Sequence, residues 1–319
     1  MFGLAWLVAC SGTPELSAPP AEVEGPRTVV VVIGCTLRAD RLGAYGNPRN
    51  TTPYFDALAA QGTLFEKTLA NAPWTRPAIA SLITGRYPIS VGIDDERDRV
   101  NTNRGLPSEV QTLAERFSEA GFKTVGATAN PNANAAFNMD QGFDDYHEAS
   151  ALWREDMVKV SGAKVASSLL SYAEQYEGED LYLQLVVIDT HKPLAPSTAY
   201  PIKWGLKTAM QPTAVDRYDA ALGYFDQVLE QLDEGLTRLG RSDRLLAIIG
   251  DHGEGLETPK WAMRSHGRRL YDANLHVPWL VTGPGVSTGH RVSGLSEGVD
   301  LVPTLSELMG LPVGDVHGD

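Results

Sequence analysis

Apolar residues along this chain fall into two patterns. Short continuous runs at Thr28 to Ile33 (Thr-Val-Val-Val-Val-Ile), Leu181 to Ile188 and Leu245 to Ile249 are long enough for strands and too short for helices, and they predict strands buried on both faces of a parallel sheet. Thr63 to Thr68, Lys123 to Thr128 and His276 to Thr282 add further strands. Between these runs the apolar positions recur at helical spacing. Asn50-Thr51-Thr52-Pro53 opens a helix through Ala60 that Gly62 closes, and Ala78 to Thr84 is stopped by Gly85. Val110 to Ala120, Trp153 to Tyr176 and Asp300 to Met309 read as helices. So does a long stretch from about Ala214 to Leu239, with Ala221, Tyr224, Phe225, Val228 and Leu232 on one face. Asn130 to Tyr146, rich in Asn, Asp and Gly, reads as an irregular loop. Strands alternating with helices predict an α/β fold: a mostly parallel central sheet with helices on both faces.

Composition narrows the class. At 319 residues the chain buries a sizeable core, and 43% apolar with 21% charged residues suits a soluble globular protein. A formal net charge of -13 argues against a nucleic-acid partner. It leaves an anionic substrate open, because the local field in a cleft outranks the total. Beyond the first residues no stretch is long and apolar enough to span a bilayer.

Two cysteines, Cys10 and Cys35, are too few for a disulfide framework. Cys10 ends Leu7-Val8-Ala9-Cys10 after an apolar start, which is similar to the lipobox of bacterial lipoproteins. The Pro-, Ala-, Ser- and Glu-rich segment from Ser11 to Gly25 reads as a tether. The start carries no Lys or Arg and is short for a signal peptide. The expected organisation is a leader and tether over residues 1–25 and one α/β domain over residues 26–319, in the bacterial cell envelope. Membrane contact is expected only through a lipid anchor at Cys10.

The candidate chemistry gathers where strands end. Asp251-His252, flanked by Gly250 and Gly253, directly follows the Leu245 to Ile249 run. In open α/β sheets ligands sit at the carboxyl ends of strands, and this pair offers a divalent metal one hard oxygen and one borderline nitrogen. The plainer reading makes Asp251 a cap hydrogen-bonded to His252. Cys35 to Arg38 follows the first strand, His191 follows the Leu181 run, and Thr75 lies in a loop that opens a helix.

In this order the motifs resemble the sulfatase family of the alkaline phosphatase superfamily. The resemblance runs through Thr36-Leu37-Arg38-Ala39-Asp40-Arg41-Leu42-Gly43, Ala72-Pro73-Trp74-Thr75, Ser81-Leu82-Ile83-Thr84-Gly85 and Asp140-Gln141-Gly142-Phe143-Asp144. It continues through His191-Lys192-Pro193, Asp251-His252-Gly253-Glu254, His266-Gly267 with Leu270-Tyr271-Asp272, and Val299-Asp300-Leu301-Val302-Pro303-Thr304-Leu305. It implies one metal-centred site at the carboxyl edge of the sheet, acting on a small anionic ester. Asp251 and His252 match the metal-ligand pair. Thr75 matches the nucleophile position of the family's C/S-x-P-x-R. His191 and His266 match histidines that contact the anionic group or the leaving oxygen.

Three departures accompany the match. Cys35 stands where the family has a metal-ligating Asp, Ile79 replaces the motif arginine, and Thr75 replaces the cysteine that becomes formylglycine. The smaller C-terminal subdomain into which the family continues is expected to be missing. The expected function is hydrolysis of sulfate, phosphate or phosphonate esters with an altered metal site. One alternative is a non-catalytic, surface-anchored relative that binds an anion; another is transfer of a phospho-headgroup. The expected cofactor is one divalent ion, zinc in preference to calcium if Cys35 joins Asp251 and His252, and none if Cys35 is a buried neutral thiol filling space. Thr75, His191 and His266 also admit plain roles as a helix cap, a loop residue and part of a solvated face. His147, His276, His290 and His317 are assigned no role.

Overall fold

A computed structural model of the chain describes residues 25–93, 104–149, 160–194, 213–256 and 266–319. Its centre is β1 (Thr28–Gly34), buried along its whole length. β-Branched side chains suit a pleated strand covered on both sides. Parallel partners flank it: β5 (Leu181–Val187) on one side and β6 (Leu245–Gly250) on the other. Beyond β5 lie β3 (Lys123–Thr128) and then β4 (Asp145–Glu148), both parallel. Beyond β6 comes β7 (His276–Thr282), antiparallel to its two neighbours, then β2 (Thr63–Leu69) and β8 (His290–Glu297). The eight-stranded order is β4-β3-β5-β1-β6-β7-β2-β8. The expected mostly parallel sheet is present, with β7 as its one reversed strand.

Side-chain alternation along β1 sorts the core into two layers. Val30 and Val32 join Leu183, Leu185 and Ile248 under α1 (Pro53–Ala59), α4 (Gly162–Gln175) and α5 (Ala214–Arg238). Val29, Val31 and Ile33 join Tyr182, Ile249 and Trp279 under α2 (Thr75–Thr84), α3 (Leu113–Glu119) and the terminal helix Leu301–Leu308. Each buried aliphatic side chain contributes about 1.5–3 kcal/mol relative to an exposed one. Dozens of them therefore fix strand register, and with it the level at which each strand ends.

Several boundaries differ from the sequence reading. α3 begins at Leu113, not Val110, because Thr112 accepts from Glu115 N while the Glu115 side chain accepts from Thr112 N, a reciprocal cap. α2 begins at Thr75, three residues early. The end of the expected irregular loop is strand β4, and β8 occupies a stretch that carries no strand pattern. β8 reads His-Arg-Val-Ser-Gly-Leu-Ser-Glu, mostly exposed, so burial imposes no alternation on it. The first part of the expected Trp153 to Tyr176 helix lies outside the described residues, as do Cys10 and nearly all of the expected leader and tether.

Candidate metal centre and active site

Register alone brings three strand ends together. Gly34 of β1 pairs with Val187 of β5 and with Gly250 of β6. Cys35, the turn bearing His191 and Asp251 therefore leave the sheet at one level. Two glycines flank the Asp251-His252 pair because their surroundings leave no room for a side chain. A Cβ on Gly250 would lie 2.8 Å from the Leu37 carbonyl oxygen, and one on Gly253 only 2.1 Å from that of Ala273.

The turn after β1 is bent sharply. Thr36 has a φ of 58°, a strained value for a β-branched residue. Three hydrogen bonds hold it: its hydroxyl donates to Cys35 O at 2.6 Å, Tyr218 donates to Thr36 O at 2.7 Å, and its own N–H reaches Asp251 Oδ1 at 2.9 Å. The same Asp251 Oδ1 accepts from His252 N at 2.6 Å. Its other oxygen, Oδ2, is buried, lies 3.5 Å from His252 Nε2 and accepts no well-formed hydrogen bond. Burial pushes the Asp251 carboxyl up to about 7, against the two N–H groups and the Cys35 thiol, which favour its charge.

His252 is fully buried, and its Nδ1 lies 2.9 Å from Gly253 O. A carbonyl only accepts, so Nδ1 carries the proton and Nε2 presents a lone pair. Facing that lone pair at 3.2 Å is Thr75 Oγ1, which is also 3.6 Å from Cys35 Sγ. Thr75 is the first residue of α2; the cap position is Trp74, with no side-chain cap. The hydroxyl is thus turned into the site and does not serve the helix as a cap.

Ligand atoms of Cys35, Asp251 and His252 all lie within 4.8 Å of one another. A thiol sulfur, a buried carboxylate oxygen to which no N–H donates and an imidazole lone pair fit a zinc-like ion of about 2.0–2.3 Å bond length, and fit calcium poorly. A metal-binding role for the group is consistent with this arrangement.

The other expected histidines form a row with this cluster. The His266 ring centroid is 4.6 Å from that of His252 and 4.9 Å from that of His191. His191 Nδ1 is held by Lys192 O. Burial, and then the neighbouring charge of His266, lower the His191 pKa to about 3, so the ring is neutral. His266 Nδ1 sits 3.2 Å from Glu254 Oε2, and Lys192 Nζ 3.3 Å from Glu254 Oε1. Burial alone would raise the Glu254 carboxyl. The hydrogen bond from His266, with the charges of His266 and Lys192, outweighs it and holds the group below its ordinary value.

All six predicted site residues, Cys35, Thr75, His191, Asp251, His252 and His266, thus meet in one place. Sequence reasoning gave no role to Thr36, Tyr218, Lys192 or Glu254. Thr36, Lys192 and Glu254 each had a sequence signal, a place in one of the family-like runs; Tyr218 had none. At the position of the missing motif arginine, Ile79 packs in the core. A buried guanidinium does lie nearby, one residue after Thr75: Arg76, stacked 3.6 Å over the Phe137 ring and bonded to Asn132 Oδ1 at 3.3 Å.

The sequence profile of the Sulfatase family matches residues 27–311. An ulvan-active sulfatase of Formosa agariphila is 24% identical over 90% of this chain and 62% of its own length. Arylsulfatase A of Bos taurus is 33% identical over 92% of this chain and 66% of its own. The chain therefore spans roughly two thirds of the length of these relatives. Among solved structures, the phosphonate monoester hydrolase of Agrobacterium radiobacter superposes with a TM-score of 0.70, at 16% identity, over 90% of this chain and 74% of that one.

Proposed function

The chain belongs to the sulfatase family, and from that premise we propose that it hydrolyses phosphate or phosphonate monoesters in preference to sulfate esters, with Thr75 as nucleophile. The observation that carries the reading is the convergence of the Thr75 hydroxyl with Cys35, Asp251 and His252. Those three residues would hold the ion. When bound there, a divalent cation supplies a Lewis acid that makes a hydroxyl a competent nucleophile and neutralises charge on the anionic group.

The remaining roles belong to the side chains. Thr75 Oγ1 gives up its proton to solvent and forms a bond to phosphorus while the bond to the leaving oxygen breaks, and water later releases the phosphoryl group and restores the Thr75 hydroxyl. Its place in the first turn of α2 sets the tetrahedral anion against a helix N-terminus, where the dipole favours negative charge. His266, part-exposed and held at Nδ1 by the Glu254 carboxylate, suits proton transfer through Nε2, taking up a proton there as the imidazolium and delivering it to the leaving oxygen. His191, buried and neutral, suits a hydrogen-bonding role toward the anion. A threonine ester has no second hydroxyl through which to expel sulfate by carbon–oxygen cleavage, so attack at the central atom is required, and phosphorus accepts it more readily.

Turnover of matched aryl phosphate, phosphonate and sulfate esters tests the reading, with Thr75→Ala as control. Phosphorus esters should lead and the variant should lose at least ~100-fold. Faster sulfate turnover, or an unchanged variant, would sink it. A second reading, a non-catalytic anion binder, is favoured by one observation: Cys35 packs in the same apolar cluster as Val32 and Leu37. Elemental analysis without metal, together with no turnover of any ester, would select it.

A further inference from the structure

Glu254 is fully buried, yet its carboxylate joins three parts of the chain. It stands on the turn after β6, where Gly253 N donates to Asn274 O at 2.8 Å and Arg38 Nη1 donates to Glu254 O at 2.9 Å. The carboxylate meets Lys192, from the turn after β5, on one oxygen and His266 on the other. Lys192 Nζ also donates to Gly255 O at 2.8 Å. The post is fixed by the sheet; the two groups it holds arrive on connecting segments.

The ring nitrogens show what this accomplishes. In all three histidines of the row Nδ1 faces an oxygen that only accepts: Gly253 O for His252, Lys192 O for His191 and the Glu254 carboxylate for His266. Each Nδ1 therefore bears the proton, and the nitrogen without one is Nε2. For His252 and His191 the backbone sets this choice. For His266 it is set by a side chain. We propose that Glu254 is a positioning residue that fixes the His266 tautomer and so presents its Nε2 to the reacting group, while Lys192 holds the second carboxylate oxygen. The consequence for turnover rests on the hydrolase reading above; the tautomer does not.

Glu254→Gln makes the proposal testable in the full chain. The carboxamide has one oxygen and one NH2, and Lys192 only donates, so the oxygen stays with Lys192 and the NH2 faces His266. His266 Nδ1 must then accept, and the proton moves to Nε2. Removing the ammonium as well, in Lys192→Met with Glu254→Gln, frees the amide to turn and returns the proton to Nδ1. Long-range 15N–1H correlation on 15N-histidine protein at about pH 8, where an ordinary imidazole is neutral, reads the tautomer directly. The expected series is Nδ1–H in the parent, Nε2–H in Glu254→Gln and Nδ1–H again in the double variant. On an aryl phosphate, kcat should fall ~10- to 100-fold in Glu254→Gln with KM little changed, as loss of an orienting partner does, and recover in part in the double variant.

An Nε2–H signal for His266 in the parent overturns the proposal even if no variant folds. So does a folded Glu254→Gln that keeps Nδ1–H, or an inverted tautomer with undiminished kcat. An inverted tautomer in a protein that turns over no ester at all leaves the positioning role standing and removes the hydrolase reading.

Discussion

At Cys35 a sulfur takes the place beside Asp251 and His252 where a carboxylate would make the donor set hard. Sulfur and calcium match poorly, and sulfur and zinc match well. Cys35→Asp should therefore weaken selectivity for zinc and raise affinity for calcium or manganese by ~10-fold or more. Isothermal titration of parent and variant with each ion measures this; an unchanged order of affinities would show that Cys35 is no ligand. The ligand pair was legible in the sequence because both members are adjacent and follow a strongly patterned strand. The strain at Thr36 and the junction at Glu254 were not. One depends on a backbone angle and the other on distances between residues far apart in sequence, and neither leaves a periodic trace.

Among the elements, α1 shows how a short helix is held from outside. Seven residues do not sustain a helix alone. Asp226 of α5 accepts the N–H groups of Tyr54 and Phe55 at 2.9 and 2.8 Å, satisfying donors that the first turn leaves open. Burial lifts the Asp226 carboxyl to about 6, despite those N–H groups, and Asp56 and Glu230 add repulsion. An ordinary aspartate titrates near ~3.9, so the folded protein binds this proton more tightly than the unfolded chain. The contribution is fully present below about pH 4 and is lost as pH rises through 6. Asp226→Asn, which keeps one acceptor, removes this slope. Its stability relative to the parent should improve by up to about 2–3 kcal/mol between pH 4 and 7. Urea unfolding across that range checks it, and a difference flat in pH would contradict it. Elements with a buried face were readable in sequence, β1 and α5 above all. β4 and β8 were not, since edge strands with little burial carry no hydrophobic period.

For the molecule as a whole, two apolar layers on a single sheet follow directly from runs buried on both faces, so the layered α/β architecture was legible. The reversal of β7 was not, because an apolar run has no direction. No helix among the described residues is long and apolar enough to cross a membrane. The attachment proposed at Cys10 is by acylation of its sulfur: labelled palmitate should mark the protein, and Cys10→Ser should release it from the membrane fraction. An unlabelled, fully soluble parent would end that proposal. The central place of β1 has a further consequence, in time. Val29 pairs with Tyr182 on one side and Leu245 on the other. The Val-rich strand is made early in synthesis but gains its neighbours only after most of the chain has followed. Until then it is an uncharged, β-prone segment open to pairing with other chains. Refolding yield should therefore fall steeply with protein concentration and recover when a chaperone that covers exposed strands is added. A yield indifferent to both would mean that β1 is sheltered during its wait.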